Sequence, residues 1–175
     1  MLISRFAAVA VLAVFSGATA LAQAPASGPL VSSSLILFRN AKGNVVKSVD
    51  KVPDDLWNWR PTPKVRSFGE LFAHIADGQY EFCGAALEGK PVDKGIEKKA
   101  KTKAEVVAAL NAAFDYCEAG YTKLTEASAV EMTNFGRPMT RISVMDFNAA
   151  HTLEHYGNLV TYMRLKDIVP PSSKQ

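Results

Sequence analysis

TKAEVVAALNAAFDYCEAGYTKL, Thr102 to Leu124, carries the clearest structural period in the chain. It opens on Thr102-Lys103-Ala104-Glu105, a capping box whose hydroxyl and carboxylate reciprocally satisfy orphan amides of a first helical turn. Its seam then runs Val107, Leu110, Phe114, Cys117, Tyr121 and Leu124. Steps alternating between three and four residues are what a helix buried along one side of a bundle requires.

Three other segments share that period, and none reads as a strand. The first spans about Ser32 to Lys51, with Leu35, Phe38, Val45, Val49 and Val52 inward, N-caps offered by Ser32 to Ser34, and Gly43 weakening its middle. Another starts at the capping box Ser67-Phe68-Gly69-Glu70, buries Phe68, Leu71, Ile75, Phe82 and Ala86, and stops near Gly89. The last runs from about Arg141 to Lys166 on Ile142, Met145, Ala149, Leu153, Tyr156, Val160 and Met163. Between the first two, Pro53-Asp54-Asp55-Leu56 is a turn or short helix. Trp57-Asn58-Trp59-Arg60-Pro61-Thr62-Pro63 cannot be regular helix, because two prolines two residues apart force extended geometry on their predecessors. The two tryptophans either fill one end of the core or line a pocket there. Glu88 to Lys101 and Ala127 to Thr140 read as polar connections. The expected fold class is therefore all-α, a four-helix bundle.

Met1 to Arg5 is a short basic start, Phe6 to Phe15 an apolar run, and Ser16 to Ala22 a small-residue stretch closing on Ala20-Leu21-Ala22. That is the anatomy of a secretory signal peptide over 1–22; the alternative, an uncleaved anchor helix, would have an apolar run too short to span comfortably. Residues 23–31 then form a flexible lead-in and 32–172 the bundle domain. Periplasmic or fully secreted placement is expected, with no stable membrane anchor. Without Arg5 the chain carries 19 basic against 17 acidic side chains. That balance excludes the basic footprint of a nucleic-acid binder. The lysine-rich stretch Lys94, Lys98, Lys99, Lys101 and Lys103 lacks interleaved aromatics and reads as a solvated loop.

Chemistry concentrates in the three histidines, the whole complement of the chain. His151 and His155 stand four apart and so share a helix face; His74 flanks the stripe of another helix. A lone flank histidine is ordinarily structural or solvated. Three on helices that share one core point instead to a metal centre with a fourth position open, the arrangement of catalytic zinc. Imidazole also suits nickel, copper and iron. Asp77, Glu81, Asn148 and Glu154 are available to orient the rings, although Glu81 reads better as a side chain that simply faces solvent. His151-Thr152-Leu153-Glu154-His155 also matches H-x-x-E-H, the inverted zinc-peptidase motif in which the glutamate is the base. Glu154 is thus the first candidate for a catalytic base, and equally a surface or ring-orienting residue. Peptidases of that class are larger proteins with a further acidic ligand, which leaves this reading the weaker one.

Several motifs together resemble the DinB-like family of metal-binding four-helix bundles: Val52-Pro53-Asp54-Asp55-Leu56-Trp57-Asn58-Trp59-Arg60-Pro61-Thr62-Pro63, Arg66-Ser67-Phe68-Gly69-Glu70-Leu71-Phe72-Ala73-His74, His151-Thr152-Leu153-Glu154-His155-Tyr156-Gly157-Asn158, and a close at Tyr162-Met163-Arg164-Leu165 through Pro170-Pro171-Ser172. The resemblance covers Ser32 to Ser172. It implies an up-down-down-up bundle, with zinc or nickel held by residues matching His74, His151 and His155. It implies dimers in many members. It also implies either metal-dependent hydrolysis of an unknown small-molecule substrate or transfer chemistry with a low-molecular-weight thiol. Export sets this chain apart from the thiol-using members, whose cofactors are cytoplasmic, and shifts the expectation toward hydrolysis or toward binding without turnover.

The resemblance also bears on Cys83 and Cys117. Cys83 lies 16 residues after Ser67 and Cys117 lies 15 after Thr102. Parallel helices would place them at one depth; antiparallel helices would separate them by about 15 Å, beyond disulfide reach. The 14 residues from Glu88 to Lys101 extend to ~46 Å, enough for a parallel crossover. A disulfide and a pair of buried thiols are the two outcomes to distinguish.

Overall fold

The computed structural model describes residues 28–173, so the expected leader at 1–22 lies outside the described residues. Four long helices form the bundle: α1 Pro29–Lys51, α2 Phe68–Glu88, α4 Lys103–Tyr121 and α6 Arg141–Arg164, with short α3 Ile96–Lys99 and α5 Glu126–Ala129 in the connections. Both expected capping boxes are present, Ser67 with Glu70 and Thr102 with Glu105, and Gly89 closes α2 in the left-handed conformation. No described helix is long and apolar enough to cross a membrane.

Three local expectations need correction. α1 starts at Pro29 behind Gly28, so Ser32 to Ser34 are not its caps. Its free amides are taken instead by the distant Glu126 carboxylate, which accepts from Val31 N at 3.0 Å and Leu30 N at 3.3 Å. Ser34 turns inward and donates to Asp146 Oδ1 at 2.5 Å. Glu88–Lys101 is not a plain loop, since α3 buries Ile96 within it. The 127–140 connection contains strands: β1 Met132–Asn134 pairs antiparallel with β2 Pro138–Thr140, in register Thr133 with Met139. Three-residue strands are too short to show a period in sequence.

The seams shift slightly as well. Val106 is buried and Val107 half-buried in α4, and in α6 Thr152 and Leu159 replace Leu153 and Val160 as the deepest positions. α6 lies between α1 and α2, so it buries a broader sector than a single stripe.

Side-chain pairs define the helix directions. Lys103 at the start of α4 donates to Val52 O at the end of α1, while Arg39 and Lys42 further back in α1 meet Glu118 near the end of α4, so these two helices are antiparallel. Ser34 and Asp146 lie near the starts of α1 and α6, which are parallel. Gln79 meets Thr152 and His74 meets His155, making α2 and α6 antiparallel. Cys83 and Cys117 form a disulfide with a Cα–Cα distance of 5.4 Å, making α2 and α4 parallel. The topology is up-down-down-up. Phe38, Phe114 and Tyr121 fill the middle of the core. Trp57 stacks on Phe72 at 5.3 Å, and Trp59 packs edge-on against Tyr162 at 5.9 Å. The tryptophan loop thus closes one end of the bundle, and Trp59 also backs Tyr162, which lines a cavity described below.

Candidate metal centre

α2 supplies His74 and α6 supplies His151 and His155, and their antiparallel packing brings the rings together. One ligand atom from each lies within 4.8 Å of the others. Ring centroids are 4.7 Å apart for His74 and His155, 5.2 Å for His74 and His151, and 4.4 Å for His151 and His155. His151 Nε2 and His155 Nε2 face each other at 3.0 Å. Two imidazole nitrogens at about 3.3 Å is what a shared tetrahedral metal at 2.0–2.1 Å demands. The three histidines could hold a metal ion.

Burial favours the neutral, ligating form. Desolvation, reinforced by the neighbouring His155 and His74 rings and by Arg66, lowers the pKa of His151 to about 3. Burial, with His74 next, also lowers that of His155. Both rings therefore keep a lone pair at neutral pH, the state a metal ligand needs.

Two groups outside the set expected from sequence touch the rings. Glu97 of α3 places Oε2 3.1 Å from His74 Nδ1. A carboxylate only accepts, so Nδ1 carries the proton and Nε2 is left with its lone pair directed at the cluster. Burial pushes the Glu97 pKa up, but Arg66 and His74 outweigh it and hold the carboxyl below its ordinary range. Arg66 Nε donates to Glu97 Oε1 at 2.7 Å. The Asn158 amide lies 3.3 Å from His155 Nδ1. A half-turn of that amide leaves its heavy-atom positions in place and presents the oxygen as acceptor.

Gly78, one turn after His74, gives His151 its space. A Cβ there would stand 2.8 Å from His151 Cε1 and 3.0 Å from the buried, unpartnered Nδ1. Phe82 covers the other side of that ring at 5.1 Å between centroids.

The four expected orienting groups lie elsewhere. Asp77 caps α3, accepting from Ile96 N at 2.8 Å and Glu97 N at 2.9 Å, and so acts on His74 only by placing Glu97. Asn148 is fully buried and donates to Gln79 Oε1 at 2.8 Å and toward Cys117 Sγ at 3.3 Å. Glu81 is exposed. Glu154 is exposed on α6 and makes no hydrogen bond or ion pair among the described residues. Its charge is felt at His155, whose pKa it raises against the larger effect of burial. Asn158, three residues after His155, was accessible to helix-spacing arguments. Glu97 carried no local signal, because only long-range packing brings the crossover to the cluster.

Two cavities flank the histidines and share Glu70 and Glu97. One, about 540 Å³, is bounded by His74 and Gly78 and by Asp77, Glu81 and Asp93. The other, about 500 Å³, is bounded by His155, Asn158 and Tyr162 and by Arg60, Lys64 and Arg66. Solvent and small molecules thus have access from both sides of α3.

The chain matches the family model described as the DinB superfamily over residues 37–159. Its fold is similar to that of a DinB-like protein from Bacillus subtilis, at 20% identity and TM-score 0.63, covering 77% of this chain and 92% of that one. A DinB-like protein from Bacillus cereus ATCC 10987 is similar at 14% identity and TM-score 0.69, covering 82% and 97%. The mycothiol-dependent maleylpyruvate isomerase is similar at 11% identity and TM-score 0.62, covering 74% of this chain but 60% of that chain. At such identities the likeness speaks to the fold. No curated protein matches the sequence.

Proposed function

The chain belongs to the DinB superfamily, and on that footing we propose that it is a metal-dependent hydrolase of a small-molecule substrate, with His74, His151 and His155 as the ligands of a divalent cation. The observation that carries this is the convergence of three imidazoles from two helices within 4.8 Å, beside two open cavities. Zinc is favoured by the all-imidazole set with an open position, and nickel is second. When bound, such a cation supplies Lewis acidity, making water nucleophilic near neutral pH and polarising a substrate oxygen.

The protein's own contribution is orientation and charge. Glu97 fixes the His74 tautomer, and Arg66 keeps Glu97 ionised. Glu154 is the candidate base: it is solvent-accessible and sits on the α6 turn between two of the ligands. Export, read from residues 1–22, supports water rather than a cytoplasmic thiol as the nucleophile. The similarity to the mycothiol-dependent isomerase keeps thiol transfer as the second reading. A binding module without turnover is the third, and the inverted peptidase ranks last.

Elemental analysis of the purified full chain tests the proposal. About one equivalent of metal is expected, falling to background in His151→Ala. A wild-type preparation refolded with zinc that retains none would sink the metal reading. Stoichiometric metal without metal-dependent turnover on ester, amide and phosphate panels would favour the binding module. Activity restored only by an added thiol would favour transfer. Proteolysis lost in Glu154→Gln would revive the peptidase.

A further inference from the structure

The two cavities beside the histidines differ in sign. On the α3 side, Glu70, Asp77, Glu81, Asp93 and Glu97 face a single cation, Lys98. On the His155 side three cations, Arg60, Lys64 and Arg66, face two carboxylates, Glu70 and Glu97, leaving one positive charge in excess.

The carboxylates occupy only part of each guanidinium. Arg60 spends Nη2 on Glu70 Oε1 at 2.8 Å and holds Nη1 at 3.4 Å from Val65 O. Arg66 spends Nε and Nη2 on Glu97, at 2.7 and 3.4 Å, and Nη1 makes no hydrogen bond among the described residues. The Lys64 ammonium makes no ion pair among the described residues and stands exposed at the rim. The Tyr162 hydroxyl likewise makes no hydrogen bond among the described residues, although the rest of that side chain is buried. Free donors thus line this side, while Pro63, Val65 and Leu71 add apolar wall.

We propose that this cavity, bounded by Arg60, Lys64, Arg66, Asn158 and Tyr162, is a binding site for the carboxylate of a monoanionic organic acid, and that the substrate of the neighbouring histidine centre is such an acid. The excess of one positive charge matches one negative charge. A phosphate dianion would bring a second negative charge against the fixed carboxylates Glu70 and Glu97. A carboxylate held by guanidinium donors there places the rest of a small molecule beside His155, within reach of the three rings. The substrate assignment rests on the metal-dependent reading of the preceding section; the anion site itself does not.

The test is a titration of the full chain, stripped of metal by chelation, with benzoate, benzamide and inorganic phosphate. It is followed by calorimetry and by the NMR signals of the Arg60 and Arg66 side-chain N–H groups. Benzoate is expected to bind at least tenfold more tightly than benzamide and to shift those signals. Lys64→Met, which removes no hydrogen bond of that side chain, should weaken benzoate about threefold, and Arg66→Met about tenfold or more. Equal affinity for benzoate and benzamide would overturn the proposal, as would benzoate binding unchanged in both variants. Phosphate bound more tightly than benzoate would overturn the carboxylate assignment. Metal stoichiometry is read separately, so a chain that holds zinc yet ignores benzoate defeats this inference alone. A chain that binds benzoate and no metal defeats the metal reading and the substrate assignment that rests on it, and leaves the anion site standing.

Discussion

Glu97 Oε2 stands 3.1 Å from His74 Nδ1, although 23 residues and the end of a helix separate them. The contact exists because Asp77, one turn beyond His74, receives the Ile96 and Glu97 amides and pins α3 over the cluster. The crossover between α2 and α4 therefore serves the histidines as well as carrying the chain back to start a parallel helix.

Glu97→Gln keeps the shape of that contact but removes its charge, and lets the amide present a donor to Nδ1. Metal affinity measured by chelator competition should fall roughly 10–100-fold, the usual effect of losing a carboxylate behind a ligating histidine. The helical circular dichroism should not change. An unaltered affinity would show that Glu97 does not orient His74.

Gly78→Ala inserts a methyl group 2.8 Å from His151 Cε1. Alanine is the better helix former, so α2 itself gains. The His151 ring must move, however, and metal binding should drop tenfold or more while the helix content holds. If metal affinity matches wild type, the ring has slack that the packing does not show.

The pH dependence of the metal-free protein follows from burial of His151. Its pKa lies near 3 in the folded chain, against about 6.5 when unfolded. A depressed histidine pKa means that the unfolded chain takes up a proton the folded chain refuses. Stability from this group is thus fully present above about pH 6.5 and is lost progressively as pH falls toward 3. Urea midpoints measured between pH 7.5 and 4.5 should fall, and fall less steeply in His151→Gln. Equal slopes in the two proteins would contradict the assignment.

The Cys83–Cys117 disulfide closes a loop with a sequence separation of 34. The chain-entropy model assigns about 4 kcal/mol to a loop of that length. Cys83→Ser should cost roughly 2–5 kcal/mol in chemical denaturation. Alkylation of the denatured chain without reductant should leave both cysteines unlabelled. Labelling of both would mean that the bridge is absent from the protein in solution.

Much of this fold was legible from one-dimensional patterns, because a helix is a local object. The capping boxes at Ser67 and Thr102, the stop at Gly89 and the three-four seam of α4 each depend on neighbours within a turn or two. So does the shared face of His151 and His155. The choice of His74 as the third ring came from counting histidines and from the family resemblance.

Tertiary structure alone decided what surrounds those rings. Glu97 reaches His74 only because a long crossover folds back, and Gly78 matters only because α6 packs against α2 at that level. Asn148 was expected beside the histidines on spacing alone, yet antiparallel packing turns it toward Gln79 and the disulfide. The two cavities of opposite charge arise where α3, the tryptophan loop and α6 meet. Periodicity fixes which face of a helix is buried. It does not fix which side chain from a distant segment completes a site, because that depends on contacts between residues with no local spacing to reveal them.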